Sequence, residues 1–313
     1  MNKLNFVISL TTDDNDYQQE QAASAEDTAR RLGVGLQIIY AENDSITQSQ
    51  QLLKIIQGDS ASRPNAIIFE PVGATALPQV GRAAVAAGMG WVVLNRDTDY
   101  LGDLRKNAKA PVFAITSNHE EIGRLQGRQL AALLPQGGGV LYIEGPSESS
   151  AARQRTNGMQ ETKRAEIQVR TLKAQWTEAS AFKVVSSWLR LSTSREARVD
   201  LIAAQDDSMA MGARKAFQES AAAGEREKWL KLPFIGCDGL PRTGQAWVRN
   251  GILAATVVVP PNTGLAIEML TQAIRSGTQP PVCKLTVPTS FPSLEALAAN
   301  RVGRGVGTGS ALS

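Results

Sequence analysis

"VDLIAAQDDSMAMGARKAFQES", residues 199–220, is the stretch on which the fold turns. It starts as an apolar run, turns polar at Gln205, Asp206 and Asp207, and goes on with small and apolar residues at helical spacing. An apolar run without alternation is what a parallel strand needs when helices cover both of its faces. Asp207, ahead of "SMAMGARKAF", suits the N-cap of a helix over 207–222, because a carboxylate accepts the otherwise unpaired first N–H groups.

The same unit recurs on either side. Apolar runs stand at "LNFVISL" (4–10), "LQIIYA" (36–41), "AIIFE" (66–70) and "WVVLN" (91–95). They continue at "GVLYIEG" (139–145), "IQVRTLKA" (167–174), "LPFIGCD" (232–238) and "ILAATVVV" (252–259). Helix-length segments such as 16–32, 45–57, 76–88, 119–134 and 150–165 lie between them, with Ser45 as the cap before "ITQSQQLLKII". Repeated strand–helix units predict an α/β fold with doubly wound parallel sheets. The first series ends at Asn95, and a loop from Arg96 to Asn118 separates it from a second series that reaches Asp238. Two similar lobes are therefore expected, followed by a loose glycine-rich tail, "NRVGRGVGTGSALS".

Composition removes several function classes. The 313 residues exceed one usual compact domain, and 42% apolar with 20% charged residues is the make-up of a globular protein. A formal charge of +3 without a basic block disfavours nucleic acid and anionic membrane as partners. Cys237 and Cys283 stand apart with no CxxC, so neither a zinc site nor a disulfide framework is indicated, and no metal or cofactor is expected. The apolar stretch in "MNKLNFVISLTT" is too short for the core of a secretory signal. A periplasmic location is expected if an export leader precedes this sequence, and a cytoplasmic one if Met1 is the native start.

The strand ends carry the chemistry. "TTDDNDY" follows the first strand, Asn95-Arg96-Asp97 the fourth, "EGPSESSAAR" the fifth and Gln175-Trp176 the sixth. Asp206 and Asp207 follow the seventh strand and Asp238 ends the eighth. Ligands of open α/β sheets bind beyond the carboxyl ends of the strands, so two such sheets facing each other would line a cleft with these groups. Many donors and acceptors with two aromatics suit a polyhydroxylated ring, whose C–H face stacks on Trp or Tyr. Any single acid at such a place can instead cap a helix, a reading that fits Asp207 best.

Arginine placement follows from helical geometry. With Ala152 and Met159 marking the buried stripe of the helix over 150–165, Arg155 lies about 60° from it and Arg153 about 100°. Arg155 should therefore look inward, offering its five-donor fork to vicinal hydroxyls or pairing with Asp206 or Asp238. Arg153 should reach toward solvent.

"SAARQR" (150–155), "LNRD" (94–97), "AQDDSMAMGA" (204–213), "IGCDG" (235–239) and "GILAATVVVPP" (251–261), in that order, resemble the periplasmic sugar-binding proteins of ABC transporters. The class is the ribose-binding-protein type, related to the effector domains of lactose-repressor-like regulators. The resemblance implies a two-lobed fold, residues 1–117 plus 260–283 and residues 118–259 plus 284–313, joined by a three-strand hinge at Ser117, Val259 and Cys283. It implies ligand contacts at Asn15, Tyr17, Asn95, Arg96, Arg155, Trp176, Asp206 and Asp238. Asn95 stands where Asp commonly precedes the Arg, Asp206 where Asn is usual, and Val259 where Gln is frequent. Two acids balanced by two arginines leave the pocket near neutral, which favours a neutral cyclic polyol over a sugar phosphate.

The expected function is capture of a small neutral sugar or cyclitol by a monomer and delivery to an ABC transporter permease. A ligand-sensing module serving a chemoreceptor or sensor kinase is the alternative. A DNA-reading regulator would need a helix-turn-helix ahead of a first strand that starts at about residue 4. An enzyme with a Ser-His-Asp arrangement would depend on His119, the sole histidine, which opens a helix in "TSNHEEIGR". No Walker-type loop and no GxGxxG after the first strand appear. No catalysis is expected.

Overall fold

The computed structural model describes residues 3–73, 76–96, 98–106, 108–222 and 224–305. The chain divides into two compact units, one of residues up to Ser117 with Pro260–Thr286, the other of Asn118–Val259 with the residues from Val287 on.

The first unit runs β1 (Asn5–Leu10), α1 (Asp16–Leu32), β2 (Gly35–Tyr40), α2 (Ser45–Gln57), β3 (Ala66–Phe69), α3 (Pro78–Ala86) and β4 (Gly90–Leu94). It continues through α4 (Leu101–Lys106) to β5 (Val112–Ser117). The second unit then runs α5 (His119–Leu133), β6 (Gly138–Glu144), α6 (Ser150–Thr162), β7 (Ile167–Lys173), α7 (Glu178–Leu189) and α8 (Ser192–Glu196). It goes on with β8 (Leu201–Ala204), α9 (Asp207–Ser220), α10 (Arg226–Leu230), β9 (Phe234–Asp238), α11 (Gly244–Arg249) and β10 (Ala255–Val258). The chain returns to the first unit for α12 (Thr263–Ser276) and β11 (Cys283–Thr286), and to the second for β12 (Thr289–Phe291) and α13 (Leu294–Gly305).

The first sheet has the order β11-β5-β4-β3-β1-β2 and every pairing in it is parallel. The second has the order β12-β10-β9-β8-β6-β7, parallel except that β12 runs antiparallel to β10. Strand periodicity explains the unbroken apolar runs. Along β3 and β4, Ile68, Val92 and Leu94 join the layer under α1 and α12, whereas Ile67, Phe69, Trp91 and Val93 join the layer with Leu52 and Ile56 of α2. Side chains alternate between two buried faces, so neither parity can be polar.

Four expectations are corrected. The stretch 96–118, expected as a loop, holds α4 and β5, and β5 pairs with both β4 and β11; its apolar "VFAIT" needs burial on both faces. Helix caps fall one residue earlier than expected. Asp44 rather than Ser45 caps α2, and Asp206 rather than Asp207 caps α9, each accepting a backbone N–H near the start of its helix. The third passage between units falls after Thr286 instead of at Cys283, because Cys283 pairs with Ala114 at the start of β11. Residues 300–305, expected in a loose tail, belong to α13; residues 306–313 of that tail, and Asp97, lie outside the described residues. Cys237 is a buried thiol and Cys283 an exposed one.

Tyr100 links chemistry to stability in the first unit. Its hydroxyl donates to Ala76 O at 2.7 Å and accepts from Trp91 Nε1 at 2.9 Å. Burial pushes its pKa up to about 12. The folded form thus holds the phenol proton more tightly than the unfolded chain, so stability is intact below pH 10 and falls as pH rises toward 12. A two-unit shift corresponds to about 2–3 kcal/mol. Chemical denaturation between pH 9 and 12 should show this loss, and Tyr100→Phe should flatten that part of the profile.

Candidate functional site

All eight expected ligand residues lie among the described residues, in two clusters at strand carboxyl ends. In the first unit, Asn15 caps α1, its Oδ1 accepting from Tyr17 N (2.9 Å) and Gln18 N (3.2 Å). The half-buried Tyr17 sends its hydroxyl to Pro260 O at 3.4 Å. Asn95, directly after β4, is buried and takes a left-handed backbone with φ of 55°. Its carbonyl accepts from Arg96 Nη1 at 2.9 Å, which folds Arg96 back over the strand end.

Amides that the sequence reading missed support this cluster. Gln18 and Gln21 share the buried stripe of α1 with Ala22 and Ala25, a polar intrusion that helical spacing makes visible. Gln18 Nε2 donates to Glu70 Oε2 at 2.9 Å, and Gln48 Nε2 donates to Glu70 O at 2.8 Å. Gln21 Oε1 accepts from Asn262 N (2.8 Å) and Thr263 N (3.1 Å) where α12 begins. Asn262 Nδ2 donates to Asn95 Oδ1.

In the second unit, α6 places Arg155 inward at 7% exposure and Arg153 outward, where Arg153 donates to Ser147 O and Glu148 O. Arg155 Nη1 donates to Gln205 O, its Nε is buried with no hydrogen-bond partner, and its guanidinium lies 5.4 Å from the centre of the Trp176 ring. Burial works against its charge, but the acidic groups around it, Asp238 and Asp206 among them, hold its pKa above the ordinary value. Cys237 is itself pushed well up by burial and stays a neutral thiol. The carboxylates Asp238 and Asp206 are therefore the charges that matter.

Gln205 is the hub beneath this arginine. Its side chain accepts from Gly145 N (2.9 Å) and donates to Tyr142 Oη (3.2 Å), Ala152 O (3.0 Å) and Thr156 Oγ1 (3.0 Å). Tyr142 passes the network to Gln126, and Gln126 donates to Ala204 O. A largely buried hydrogen-bond network of this kind holds its members in one geometry. Asp207, expected as a helix cap, instead accepts from Gly239 N and Thr256 Oγ1, both at 2.8 Å, and so ties the ends of β9 and β10 together.

Three candidate residues, Asn95, Trp176 and Asp238, have φ of 55°, 59° and 102°. Left-handed backbone costs a non-glycine residue on the order of 1 kcal/mol and clusters at functional sites. Trp176 also dictates a glycine. A Cβ on Gly145 would stand 2.2 Å from Trp176 Cζ2, so the indole lies flat on bare backbone. Gly145→Ala should push the indole away from Arg155 toward water at a cost of about 1 kcal/mol. The check is a red-shifted Trp176 emission, obtained by subtracting the spectrum of the same variant with Trp176→Phe.

The chain is similar to known proteins along most of its length. The family profile described as "Periplasmic binding protein domain" matches residues 6–279. The chain is 25% identical over 286 residues to the D-allose-binding periplasmic protein of Escherichia coli (strain K12), covering 89% of this chain and 87% of that protein. It is 27% identical over 253 residues to the D-ribose/D-allose-binding protein of Pseudomonas aeruginosa, covering 80% and 72%. Among solved structures, an ABC transporter periplasmic solute binding protein from Actinobacillus succinogenes with bound D-allose superposes with a TM-score of 0.79 at 23% identity. That match covers 95% of this chain and all of the other. The Caulobacter myo-inositol binding protein bound to myo-inositol superposes with a TM-score of 0.75 at 22% identity, covering 96% and 97%.

Proposed function

Because the chain belongs to the periplasmic binding protein domain family, we propose that it captures a small neutral polyhydroxylated ring, a sugar or cyclitol, and delivers it to an ABC transporter permease. The observation that carries this reading is Arg155, a buried guanidinium whose Nε has no hydrogen-bond partner among the described residues. A buried donor left unmade costs about 1–3 kcal/mol, so the site is built for an acceptor that arrives from outside. Asp206 and Asp238 then take hydroxyl protons, and Trp176 and Tyr17 cover the C–H faces of the ring. Asn15, Asn95 and Arg96 complete the contacts from the first unit.

The named relatives bind D-allose or D-ribose, which are neutral polyols. The name of the D-allose-binding periplasmic protein supports a periplasmic location for this chain, and both names support a role in binding without catalysis. The protein acts as a monomer, and the passages at Ser117 and Val259, with the third after Thr286, serve as its hinge. Calorimetry against sugars and cyclitols should find micromolar or tighter binding of a neutral ring, recovered unchanged. Turnover of the ligand, or tighter binding of a sugar phosphate than of its neutral parent, would overturn the proposal.

A further inference from the structure

Asn262 occupies the N-cap of α12, yet its side chain makes no capping hydrogen bond. An Asn in that place ordinarily accepts an N–H of the first turn. Here Gln21 takes over, since its Oε1 accepts from both Asn262 N and Thr263 N. The Asn262 side chain, fully buried, is thereby released to donate from Nδ2 to Asn95 Oδ1.

That contact sets the polarity of the β4 end. An amide offers an acceptor on one side and two donors on the other. With Oδ1 of Asn95 occupied by Asn262, the group left to meet a ligand is Asn95 Nδ2, which makes no hydrogen bond among the described residues. The leftover atoms support this orientation. Gln21 is fixed by the two backbone N–H groups it accepts, so its unpartnered Nε2 is a donor, and the unpartnered Oδ1 of Asn262 is an acceptor in the same cluster. Turning both asparagine amides over would replace a buried unmatched acceptor by a second buried unmatched donor, which is the worse arrangement because a carbonyl tolerates a missing partner better than an N–H group does. Arg96, tied to Asn95 O, adds a cation beside the same strand end.

We infer that Asn262 is a specificity-determining positioning residue: by holding Asn95 Oδ1 it makes the β4 end a donor, so the site takes a polyol through an acceptor oxygen and rejects an ammonium there. The inference rests on the proposed binding function and deepens it. A hydroxyl, ring ether or carbonyl oxygen can meet Nδ2, whereas an –NH3⁺ group has no lone pair and faces Arg96 as a like charge.

Two measurements test it. The first needs no ligand. Side-chain amide exchange by ¹⁵N NMR on the unaltered protein should show the Asn262 NH2 group exchanging at least about tenfold more slowly than that of Asn95. The opposite order overturns the inference. The second uses D-allose and myo-inositol with their amino-for-hydroxyl analogues as calorimetric probes. The unaltered protein should bind the analogue carrying the amine toward Asn95 about 100-fold more weakly than its neutral parent. Asn262→Asp accepts from Asn95 Nδ2 and turns Oδ1 outward, and Asn95→Asp supplies an acceptor directly. Each should shrink that ratio at least about tenfold. A ratio that moves in Asn95→Asp but not in a folded Asn262→Asp, as judged by thermal melting, reduces Asn262 to a structural role and overturns the inference. Should Asn262→Asp not fold, the exchange order decides alone. Failure of every neutral ring to bind would count against the proposed function and leave the exchange result standing.

Discussion

Arg155→Ala is expected to weaken binding of the neutral ring by about 2–4 kcal/mol, roughly 30- to 1000-fold, with a smaller loss in the stability of the empty protein. The two halves of this expectation have separate causes. The empty protein gains less from the guanidinium than the bound one, because among the described residues Nε is buried without a hydrogen-bond partner and Gln205 O is the acceptor of Nη1. Burial works against the charge and so offsets part of what Asp206 and Asp238 contribute to it in the empty fold. The bound protein loses a fork of donors and leaves the ligand's oxygens, Asp206 and Asp238 without their cation. Arg155→Lys should fall between, keeping the charge but not the planar geometry that stacks on Trp176. Arg153→Ala is the control and should change affinity by less than about 0.5 kcal/mol, since Arg153 is exposed and donates to loop carbonyls. Equal losses at both positions would show that the inward arginine has no special role.

Gly123→Leu should cost the second unit about 3–4 kcal/mol, seen as a drop in denaturation midpoint with an unchanged slope against denaturant. A Cβ at Gly123 of α5 would lie 2.0 Å from Arg155 O, and across the same interface one at Gly158 of α6 would lie 2.0 Å from Glu120 O. Both obstacles are backbone atoms, which cannot rotate aside as a side chain can. The two helices must therefore move apart, and α6 carries Arg155 with it. Leucine's better helix propensity returns less than about 1 kcal/mol, too little to offset the separation. Ligand affinity should fall together with stability, unlike the Arg155→Ala case. A variant that keeps its midpoint would mean that the interface yields more readily than its close backbone contacts imply.

Most of the fold could be read because parallel strands buried on two faces leave no polar parity, and β3 and β4 announce themselves by that alone. β5 escaped because its apolar core sits between a charged, proline-containing stretch and a polar helix start, and it becomes a strand only through pairing with β4 and with β11, distant in sequence. The inward face of Arg155 was legible because helical spacing is local. Its support was not: Gln205 reaches Ala152 and Tyr142 across 53 and 63 positions. The Asn262–Asn95 contact spans 167 positions, and at the sequence level an N-cap Asn already has a sufficient explanation. Local rules named the residues at the strand ends; only the tertiary structure shows which atom of each is left for a ligand.

The division of the first unit into two chain segments has a consequence for synthesis. Its core includes Ala266, Ile267 and Leu270 of α12, packed against Phe6, Ile8, Val92 and Phe113. During translation those strands emerge first, yet their covering helix follows only after the whole of residues 118–259. At roughly 5–20 residues per second the wait is on the order of ten seconds. The second unit has every strand of its sheet except β12 by Val259 and can settle during that interval. The first unit should thus be the last to mature although it is the first to be made, and its uncovered apolar sheet face is where a holding chaperone would engage the growing chain.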